Sequence, residues 1–223
     1  ISTTKIGQVH FNWKGDVEKL RAAMPEIRDK LISETESITK NMRERGGGIL
    51  DIELIDKSDE LEDYFQLKAS FETVDSMGAN FINSCLEEFG MQFKRFLKED
   101  ERFTGEEEEC EIVMAILSNY TPECLVKTWV ECDISEFEEM DRSLSAMDFA
   151  RKFERAVRIA QKDTYRATTH NKGVMNGVDA VVLATGNDFR AIEACAHTYA
   201  SRKGKYASLT DVHITENTFR YEL

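Results

Sequence analysis

Residues 50–93 read LDIELIDKSDELEDYFQLKASFETVDSMGANFINSCLEEFGMQF, and this stretch decides the fold. Apolar and polar residues alternate along 50–54 and again along 65–72, which is the two-residue period of half-buried strands. The polar residues 56–63 between them are typical of a hairpin connection. Apolar residues then recur every four positions, which predicts an amphipathic helix. The members of this stripe are Met77, Phe81, Cys85, Phe89 and Phe93.

A strand and a helical stretch precede this segment. Val9, Phe11 and Trp13 alternate with polar neighbours, which predicts another half-buried strand. Apolar residues then follow at steps of three, four or seven, as they do on one face of a helix. They are Val17, Leu20, Met24, Ile27, Leu31, Ile38 and Met42. Because proline has no backbone N–H to donate, we expect Pro25 to divide this stretch into two helices and Gly46–Gly48 to end it.

Two further strands are expected after the helix stripe, near Glu111–Leu117 and Cys124–Cys132. The acidic run Glu106–Glu109 before them is interpreted as a solvated loop, because four adjacent carboxylates do not easily converge on one ion. The resulting order is β-α-β-β-α-β with one strand appended. That order is typical of an α+β, ferredoxin-like sandwich, in which helices cover one face of an antiparallel sheet.

The pattern changes near residue 140. Apolar residues predict one helix over 149–160 and another over 189–199, the latter ending near Gly204. The Gly- and Asn-rich segment 171–187 between them is interpreted as a connection.

We therefore expect two domains. Residues 1–138 form the sandwich, and residues 139–223 form part of a larger, mainly helical domain. The first residues, from Ile1 onward, are expected to lie in a strand that is already under way.

Composition excludes several classes of function. The 223 residues include 29 Lys and Arg against 42 Asp and Glu, which gives a net charge of −13. So acidic a chain lacks the basic surface that binding to nucleic acid phosphates requires. Its apolar runs are shorter than the roughly 20 residues of a membrane-spanning helix, and no signal-peptide pattern opens it. Five cysteines without metal-ligand spacing indicate reduced thiols in a cytoplasmic protein.

The first candidate site lies where the second alternating segment meets the helix stripe. Residues Asp75–Asn80 read DSMGAN. Asp75 can cap the helix, which is a structural role. Alternatively, the N–H groups of the first helical turn can bind a phosphate, with Gly78 leaving room for its close approach. The residues alone favour the structural interpretation, in which Asp75 caps the helix and Gly78 allows tight helix packing.

A second candidate is the donor-rich segment Tyr165–Gly177, which is interpreted as a loop. It carries Arg166, His170 and Lys172 within a few positions, and such donors bind a carboxylate or stabilise an oxyanion. A solvated loop without a binding role is the alternative. Asp188 stands at the predicted start of the last helix, where an N-cap is the ordinary role of aspartate.

These candidates belong to a pattern that covers most of the chain. Residues 163–210 read DTYRATTHNKGVMNGVDAVVLATGNDFRAIEACAHTYASRKGKYASLT and closely resemble class II 3-hydroxy-3-methylglutaryl-CoA (HMG-CoA) reductases. Asp75–Asn80 is similar to that family's D-A-M-G-A-N motif, with Ser76 in place of Ala. Ile116–Asn119 and Gly46–Gly48 also have counterparts in the family. Several motifs in the right order make the resemblance specific.

The resemblance implies a reaction and roles for named residues. The reaction is a four-electron reduction of HMG-CoA to mevalonate and CoA, or its reverse, through two hydride transfers. Lys172 matches the catalytic lysine, whose ammonium polarises the carbonyl and stabilises the oxyanion. Asp188 matches the aspartate that keeps this lysine charged. Arg166 matches the arginine that holds the substrate carboxylate, and Asn176 and Asn119 match polar residues that organise the same site.

The resemblance also implies a coenzyme, NADPH or NADH, and no metal. Asp75, Met77, Gly78 and Asn80 match the family's cofactor-binding motif. Relatives that use NAD have an acidic residue near the end of the first helical region, where it contacts the adenosine ribose, and the corresponding position here is Thr39. Without a carboxylate there a 2′-phosphate is tolerated, which favours NADPH or dual use. The neighbouring cations are Lys40, Arg43 and Arg45.

Two catalytic residues of the family have no match in this sequence. The family's glutamate falls upstream of Ile1 and its histidine beyond Leu223, so we expect an internal fragment that does not turn over by itself. Family members are dimers with shared sites, which implies a homodimer or a higher homo-oligomer. The alternative function is a non-catalytic, ferredoxin-like binding or regulatory module. Such a module would have no reason to keep Lys172, Asp188 and Arg166 together.

Overall fold

The computed structural model describes residues 2–140 and 143–223. They form two compact units, of which the first ends at Cys124 and the second covers Leu125–Leu223. The domain boundary predicted from the sequence lies later, after residue 138. The difference arises because the last of the strands expected from the sequence forms at Trp129–Asp133 and hydrogen-bonds to the strand Thr218–Glu222, within the second unit.

The first unit contains one sheet and three helices in its described part. The expectation that the opening strand includes Ile1 lies outside the described residues, and the strand is observed from Thr4. The elements are β1 (Thr4–Trp13), α1 (Val17–Glu34), α2 (Glu36–Glu44), β2 (Gly48–Asp56), β3 (Tyr64–Glu72), α3 (Ala79–Glu99) and β4 (Cys110–Ser118).

The first sheet has the strand order β2-β3-β1-β4, and every neighbouring pair is antiparallel. Gly7 marks the register, because it lies opposite Ala69 of β3 and Leu117 of β4. The predicted alternation is preserved, since Val9 and Phe11 of β1 are fully buried whereas their neighbours are only partly covered. The predicted combination of helices with an antiparallel sheet is therefore confirmed.

Large side chains from the sheet and the helices form the core of the first unit. Phe89 of α3 is fully buried, and its ring centroid lies 6.4 Å from that of Phe71 in β3. Phe11 contacts Phe65 and Phe93, with centroid separations of 5.9 and 4.8 Å. Burial of such side chains is the main stabilising contribution to a fold of this size, because each removes a large apolar area from water.

The helical stretch before β2 divides at Thr35, and the prediction that it divides at Pro25 is wrong. Pro25 lies inside α1. Pro25 and Arg21, whose carbonyl loses its N–H partner, are both exposed, so water can take the place of the missing bond. The buried hydroxyl of Thr35 donates to the Leu31 carbonyl at 2.8 Å, and α1 ends there.

The acidic run before β4 is more ordered than the predicted solvated loop. Gly105–Glu108 form a short 3-10 helix. Glu107 accepts from Lys19 Nζ at 2.7 Å and from the Asp16 N–H at 3.2 Å. These bonds, led by the one from Lys19, hold the pKa of the Glu107 carboxyl below its usual value. Glu107 therefore connects the segment before β4 to the start of α1.

The second unit combines three helices with a small antiparallel sheet in its described part. Its strand order is β5-β7-β6. Buried residues from strands and helices form one cluster around Phe219, Val157 and Val212. No helix in the described ranges is long and apolar enough to cross a membrane. The elements are β5 (Trp129–Asp133), α4 (Ala146–Lys162), α5 (Thr164–Ala184), α6 (Phe189–Ala200), β6 (Asp211–Ile214) and β7 (Thr218–Glu222).

The donor-rich segment forms the helix α5, so the loop predicted over 165–177 and the connection predicted over 171–187 are wrong. Glycine and asparagine are poor helix formers, each costing about 0.5–1 kcal/mol relative to alanine. Tertiary contacts outweigh this cost. Asp163 caps the helix by accepting the Arg166 N–H at 2.6 Å, and Asn171 is fully buried in the middle of it.

Replacing Phe89 by alanine should lower the free energy of unfolding by about 3–5 kcal/mol, because it leaves a cavity under the first sheet. Chemical denaturation followed by circular dichroism measures this change. Met91→Ala is the matched control on the same helix, since Met91 is 59% exposed. Equal losses for both variants would contradict the assignment of this core.

Candidate functional site

Antiparallel pairing brings three of the motif-bearing loops to one edge of the first sheet. Glu72, at the end of β3, lies opposite both Thr4 of β1 and Gly48 of β2. Ser118, at the end of β4, lies opposite Ile6. The segments 46–48, 73–78 and 119–124 therefore meet at this edge, which we call the loop edge.

Hydrogen bonds within residues 73–76, directly after β3, stabilise a strained turn. The Thr73 hydroxyl donates to the Ser76 carbonyl at 2.7 Å, and the Ser76 hydroxyl donates to the Thr73 carbonyl at 2.8 Å. Between them, Val74 has a φ of 52°, which a β-branched residue rarely adopts. The Val74 N–H donates to the Glu72 carboxylate at 2.7 Å. Strain of this kind is common at binding sites, where the surrounding structure maintains it.

Glu72 is anchored at the same edge. The Thr3 hydroxyl donates to its carboxylate. This bond first, and the Val74 N–H second, hold the pKa of the Glu72 carboxyl below its usual value. The charged carboxylate therefore fixes the strained turn to the start of β1.

The prediction that Asp75 caps α3 is wrong. The N-cap position is Gly78, with a φ of 70°, and no side chain caps the helix there. The Thr73–Ser76 bonds turn the chain so that Asp75 stays exposed, and Met77 is 49% exposed. The first N–H groups of α3 consequently have no side-chain acceptor at the N-cap and point toward the loop edge, where Asn80 is also exposed.

An asparagine that the sequence analysis did not single out joins this helix start to β4. The Asn83 Oδ1 accepts the Leu117 N–H at 3.0 Å. Asn119 follows two residues later and is exposed. A polar residue amid the buried positions of α3 was the available signal, because buried amides need partners.

The structure does not support a direct role for the Thr39 side chain at a ribose. Thr39 is 3% exposed, and its hydroxyl donates to the Thr35 carbonyl at 3.0 Å. Arg43, one turn later, is exposed. Its Cγ approaches Gly48 at the loop edge, and its guanidinium lies 3.4 Å from the Glu36 carboxylate at the start of α2. Lys40, Glu44 and Arg45 are exposed as well. The end of α2 therefore carries exposed charged side chains, whereas the Thr39 hydroxyl is buried.

In the second unit, α5 sets the positions of Arg166, Lys172 and Asn176. All three are exposed. Lys172 and Asn176 are four residues apart and share one face of the helix. Arg166 precedes Lys172 by six residues and lies on a different face. One helix thus brings an ammonium and an amide together and separates the guanidinium from them.

Asn171, next to Lys172, fixes the rotation of α5. It is fully buried. Its Nδ2 donates to the Ala207 carbonyl at 3.0 Å, and its Oδ1 accepts the Leu209 N–H at 3.0 Å. The sequence analysis treated Asn171 as part of a loop and missed this role. With both ends of the amide bonded to one backbone segment, the adjacent Lys172 is directed to the surface.

His170 has a structural environment. Its Nε2 lies 2.7 Å from the hydroxyl oxygen of the buried Thr210. Burial first, and the charge of Arg166 second, lower the pKa of the imidazole from its usual value. His170 therefore favours its neutral form.

Asp188 acts as an N-cap and does not contact Lys172 within one copy of the chain. Its carboxylate accepts the N–H groups of Arg190 and Ala191 at 3.1 and 3.3 Å. The Arg190 Nε lies 3.6 Å from the same carboxylate. Among the described residues, Lys172 and Asp188 form no ion pair with each other within an N···O distance of 4.0 Å. Their pairing stays a prediction.

Within the described ranges, no group of three or more His, Cys, Asp or Glu side chains is arranged to hold a metal ion. Each unit thus has its own candidate site: backbone N–H groups at the loop edge of the first unit, and an ammonium with an amide on α5 of the second.

Comparison with known proteins identifies the family. The family model for hydroxymethylglutaryl-coenzyme A reductase matches residues 2–221. The chain belongs to the HMG-CoA reductase family. It is 31% identical over 218 residues to a probable HMG-CoA reductase of Borreliella burgdorferi, covering 98% of this chain and 46% of that protein. It is 32% identical over 189 residues to the reductase of Archaeoglobus fulgidus, covering 84% of this chain and 38% of that protein.

Solved HMG-CoA reductases have the same fold. A structure from Streptococcus pneumoniae matches with a TM-score of 0.83 and 29% identity, covering all of this chain and 57% of that one. A class II HMG-CoA reductase of the same organism, bound to NADPH in open conformations, matches with the same TM-score. The resemblance to class II members is therefore confirmed. The chain spans less than half the length of the two curated relatives.

Gly78→Ala should destabilise the first unit by about 2–4 kcal/mol. A β-carbon at this positive-φ position would lie 2.5 Å from the Thr73 Cγ2, so backbone strain and a clash both contribute. Gly105→Ala is the matched control, because Gly105 also has a positive φ but open space around it, and about 1 kcal/mol is expected. Urea denaturation measures both, and equal losses would show that the turn is not packed against Gly78.

Proposed function

We propose that the protein carrying this chain is an NAD(P)H-dependent HMG-CoA reductase, which converts HMG-CoA to mevalonate and CoA or catalyses the reverse reaction. The observation that carries this proposal is the exposure of the polar residues that match family roles, while buried neighbours such as Asn171 hold the fold. An exposed donor is available to a substrate. These residues are Asp75, Asn80, Asn119, Arg166, Lys172 and Asn176.

Lys172 supplies the charge that the proposed reaction needs. When hydride adds to the thioester or aldehyde carbonyl, negative charge develops on oxygen, and a positioned ammonium stabilises it. The coenzyme, when bound, supplies the hydride. Lys172 donates to the carbonyl oxygen, and Asn176, on the same face of α5, orients the substrate. Arg166 binds the substrate carboxylate through paired N–H groups.

Asp188 is proposed to keep Lys172 protonated in the assembled site, because a nearby carboxylate favours the ammonium. The two side chains form no ion pair within one copy, so the assembled site belongs to a homodimer or a higher homo-oligomer. Exposed apolar residues on α5 support such an assembly, since Val181 is 65% and Leu183 57% exposed. Apolar surface of this kind is typical of protein interfaces.

The first unit is proposed to be the nucleotide-binding domain, with a ferredoxin-like fold. The strand order β2-β3-β1-β4 with antiparallel neighbours supports this fold. The α3 N–H groups without a side-chain cap, beside Gly78, suit the diphosphate of a dinucleotide. The second unit is proposed to be part of the substrate-binding domain. A cytoplasmic location belongs to the same proposal and is supported by five free thiols.

NADPH is the proposed coenzyme, with NADH as an accepted alternative. The position that matches the acidic residue of NAD-using relatives holds Thr39, and Arg43 is exposed beside the loop edge. Its guanidinium pairs with Glu36 on the exposed surface at 3.4 Å in this structure, and we propose that it turns to the 2′-phosphate when NADPH binds. The Streptococcus pneumoniae structure bound to NADPH is consistent with this assignment.

Two variants of the complete protein distinguish the catalytic roles of these residues from their structural roles. Lys172→Gln should lower kcat for HMG-CoA reduction by about 10²–10³-fold, because an oxyanion donor is lost. Asp188→Asn should also lower kcat while leaving stability nearly unchanged, since asparagine caps helices as well as aspartate does. The decrease in NADPH absorbance measures kcat, and thermal unfolding measures the stability of each variant.

Asp16→Asn is the control for these variants, because Asp16 caps α1 by accepting the Glu18 N–H at 2.9 Å and lies outside the proposed site. It should leave kcat unchanged. Full activity of Lys172→Gln would contradict the proposed function.

Arg43→Gln should raise the KM for NADPH by about tenfold and leave the KM for NADH nearly unchanged, because only NADPH has a 2′-phosphate for the guanidinium to bind. Steady-state kinetics with each coenzyme measure both constants. Arg28→Gln is the matched control, because it removes an exposed cation of α1 that pairs with Asp51. Equal changes for both coenzymes would contradict the assignment of Arg43.

A further inference from the structure

A lysine and a cysteine meet at the loop edge, outside the residues used above. The Lys5 Nζ donates to the Cys124 Sγ at 3.1 Å. The Cys124 thiol in turn donates to the Thr4 carbonyl at 3.0 Å. With its hydrogen directed at Thr4, the sulfur presents a lone pair to the ammonium. The contact joins residues 119 positions apart in sequence.

The fold holds these two groups in place before any reaction. Lys5 lies in β1, next to Ile6, which pairs with Ser118 at the end of β4. The chain then turns back, because the Cys124 N–H donates to the Thr121 carbonyl at 3.0 Å around Pro122. Proline at the second position stiffens such a turn. The cysteine therefore reaches the amine through a rigid connection.

The environment of Cys124 differs from that of the buried cysteines. Burial raises the pKa of the Cys85 thiol to about 12, and that of Cys110 to about 12, which makes both poor nucleophiles. Cys124 is half-buried and contacts a cation. The thiolate is the form of a cysteine that reacts with peroxides, and a half-buried thiol is open to them.

We propose that Cys124 and Lys5 form an oxidative modification site, at which hydrogen peroxide produces a reversible covalent nitrogen–sulfur bond. In the first step the thiolate attacks one peroxide oxygen and the O–O bond breaks. The departing hydroxide takes a proton from the Lys5 ammonium and leaves as water, so that the amine becomes neutral. Sulfur is oxidised to a sulfenic acid and the peroxide is reduced. In the second step the neutral Lys5 amine attacks sulfur, the S–OH bond breaks, and a second water leaves with one amine hydrogen. The product is a sulfenamide.

The bond would tie β1 to the segment after β4 and would remove the positive charge of Lys5. Both changes occur at the loop edge, where segments 46–48 and 73–78 also lie. A thiol reductant reverses the reaction by attacking sulfur, which releases the amine and leaves a disulfide that a second thiol reduces. This inference concerns the chain itself and does not rest on the proposed reductase activity.

The test treats the reduced 223-residue chain with excess hydrogen peroxide and follows its intact mass under non-reducing conditions. The expected product has lost two hydrogen atoms, and peptide mapping joins the peptides that contain Lys5 and Cys124. Dithiothreitol restores the original mass. Cys124→Ser should abolish the product, and Cys132→Ser, at another half-buried cysteine, should leave it unchanged.

Lys5→Arg separates the two chemical steps. It keeps a cation beside the sulfur but removes the amine, so a sulfenic acid should accumulate and react with dimedone. Addition of oxygen to the wild-type chain without a cross-link would overturn the proposal. A cross-link that retains the oxygen atom, or one that survives in Cys124→Ser, would overturn it as well.

Discussion

The antiparallel pairing of β1 with both β3 and β4 is the constraint on which the first unit depends. It brings segments 73–78 and 119–124 to one edge although they are far apart in sequence, and the pairing of β2 with β3 adds segment 46–48. The same pairing directs Val9 and Phe11 into the core beneath α3. The register that buries the core also aligns the loop edge, because a one-residue slip would turn the core side chains to the opposite face and displace the strand ends by one residue.

The second unit depends on one buried amide in the same way. Asn171 bonds to the backbone at residues 207 and 209, and this contact stabilises a helix whose glycines and asparagines favour other conformations. Lys172 is exposed as a consequence of that anchoring. Stability and the proposed chemistry therefore rest on neighbouring positions of α5, one buried and the other open to a substrate.

Periodicity predicted the strands of the first sheet and the helix α3, because burial on one face leaves a regular pattern in the sequence. The sequence-based prediction failed at helix boundaries that tertiary contacts determine. Thr35, not Pro25, ends α1, since the proline lies on the solvent side. Gly78, not Asp75, caps α3, since the Thr73–Ser76 bonds turn the chain.

The site was predicted in a similarly uneven way. Family motifs pointed to Lys172, Asn176 and the segment Asp75–Asn80, and their roles stay predictions. Lys172 and Asn176 are exposed, as are Asp75, Met77 and Asn80 within the segment. The family correspondence placed the ribose contact at Thr39, which is buried. A match by sequence position does not show which face of a helix is covered. The half-buried Asn83 and the buried Asn171 were missed, since an amide that bonds to a distant backbone segment has no local sequence pattern apart from its polarity.

The central claim is that the loop edge of the first unit binds the coenzyme. Amide chemical shifts of the ¹⁵N-labelled chain, titrated with NADPH, test it most directly. The account predicts that the largest changes fall on segments 46–48 and 73–80 and near Asn119. Changes confined to the opposite edge, around 57–63 and 104–109, or no changes at all, would contradict it.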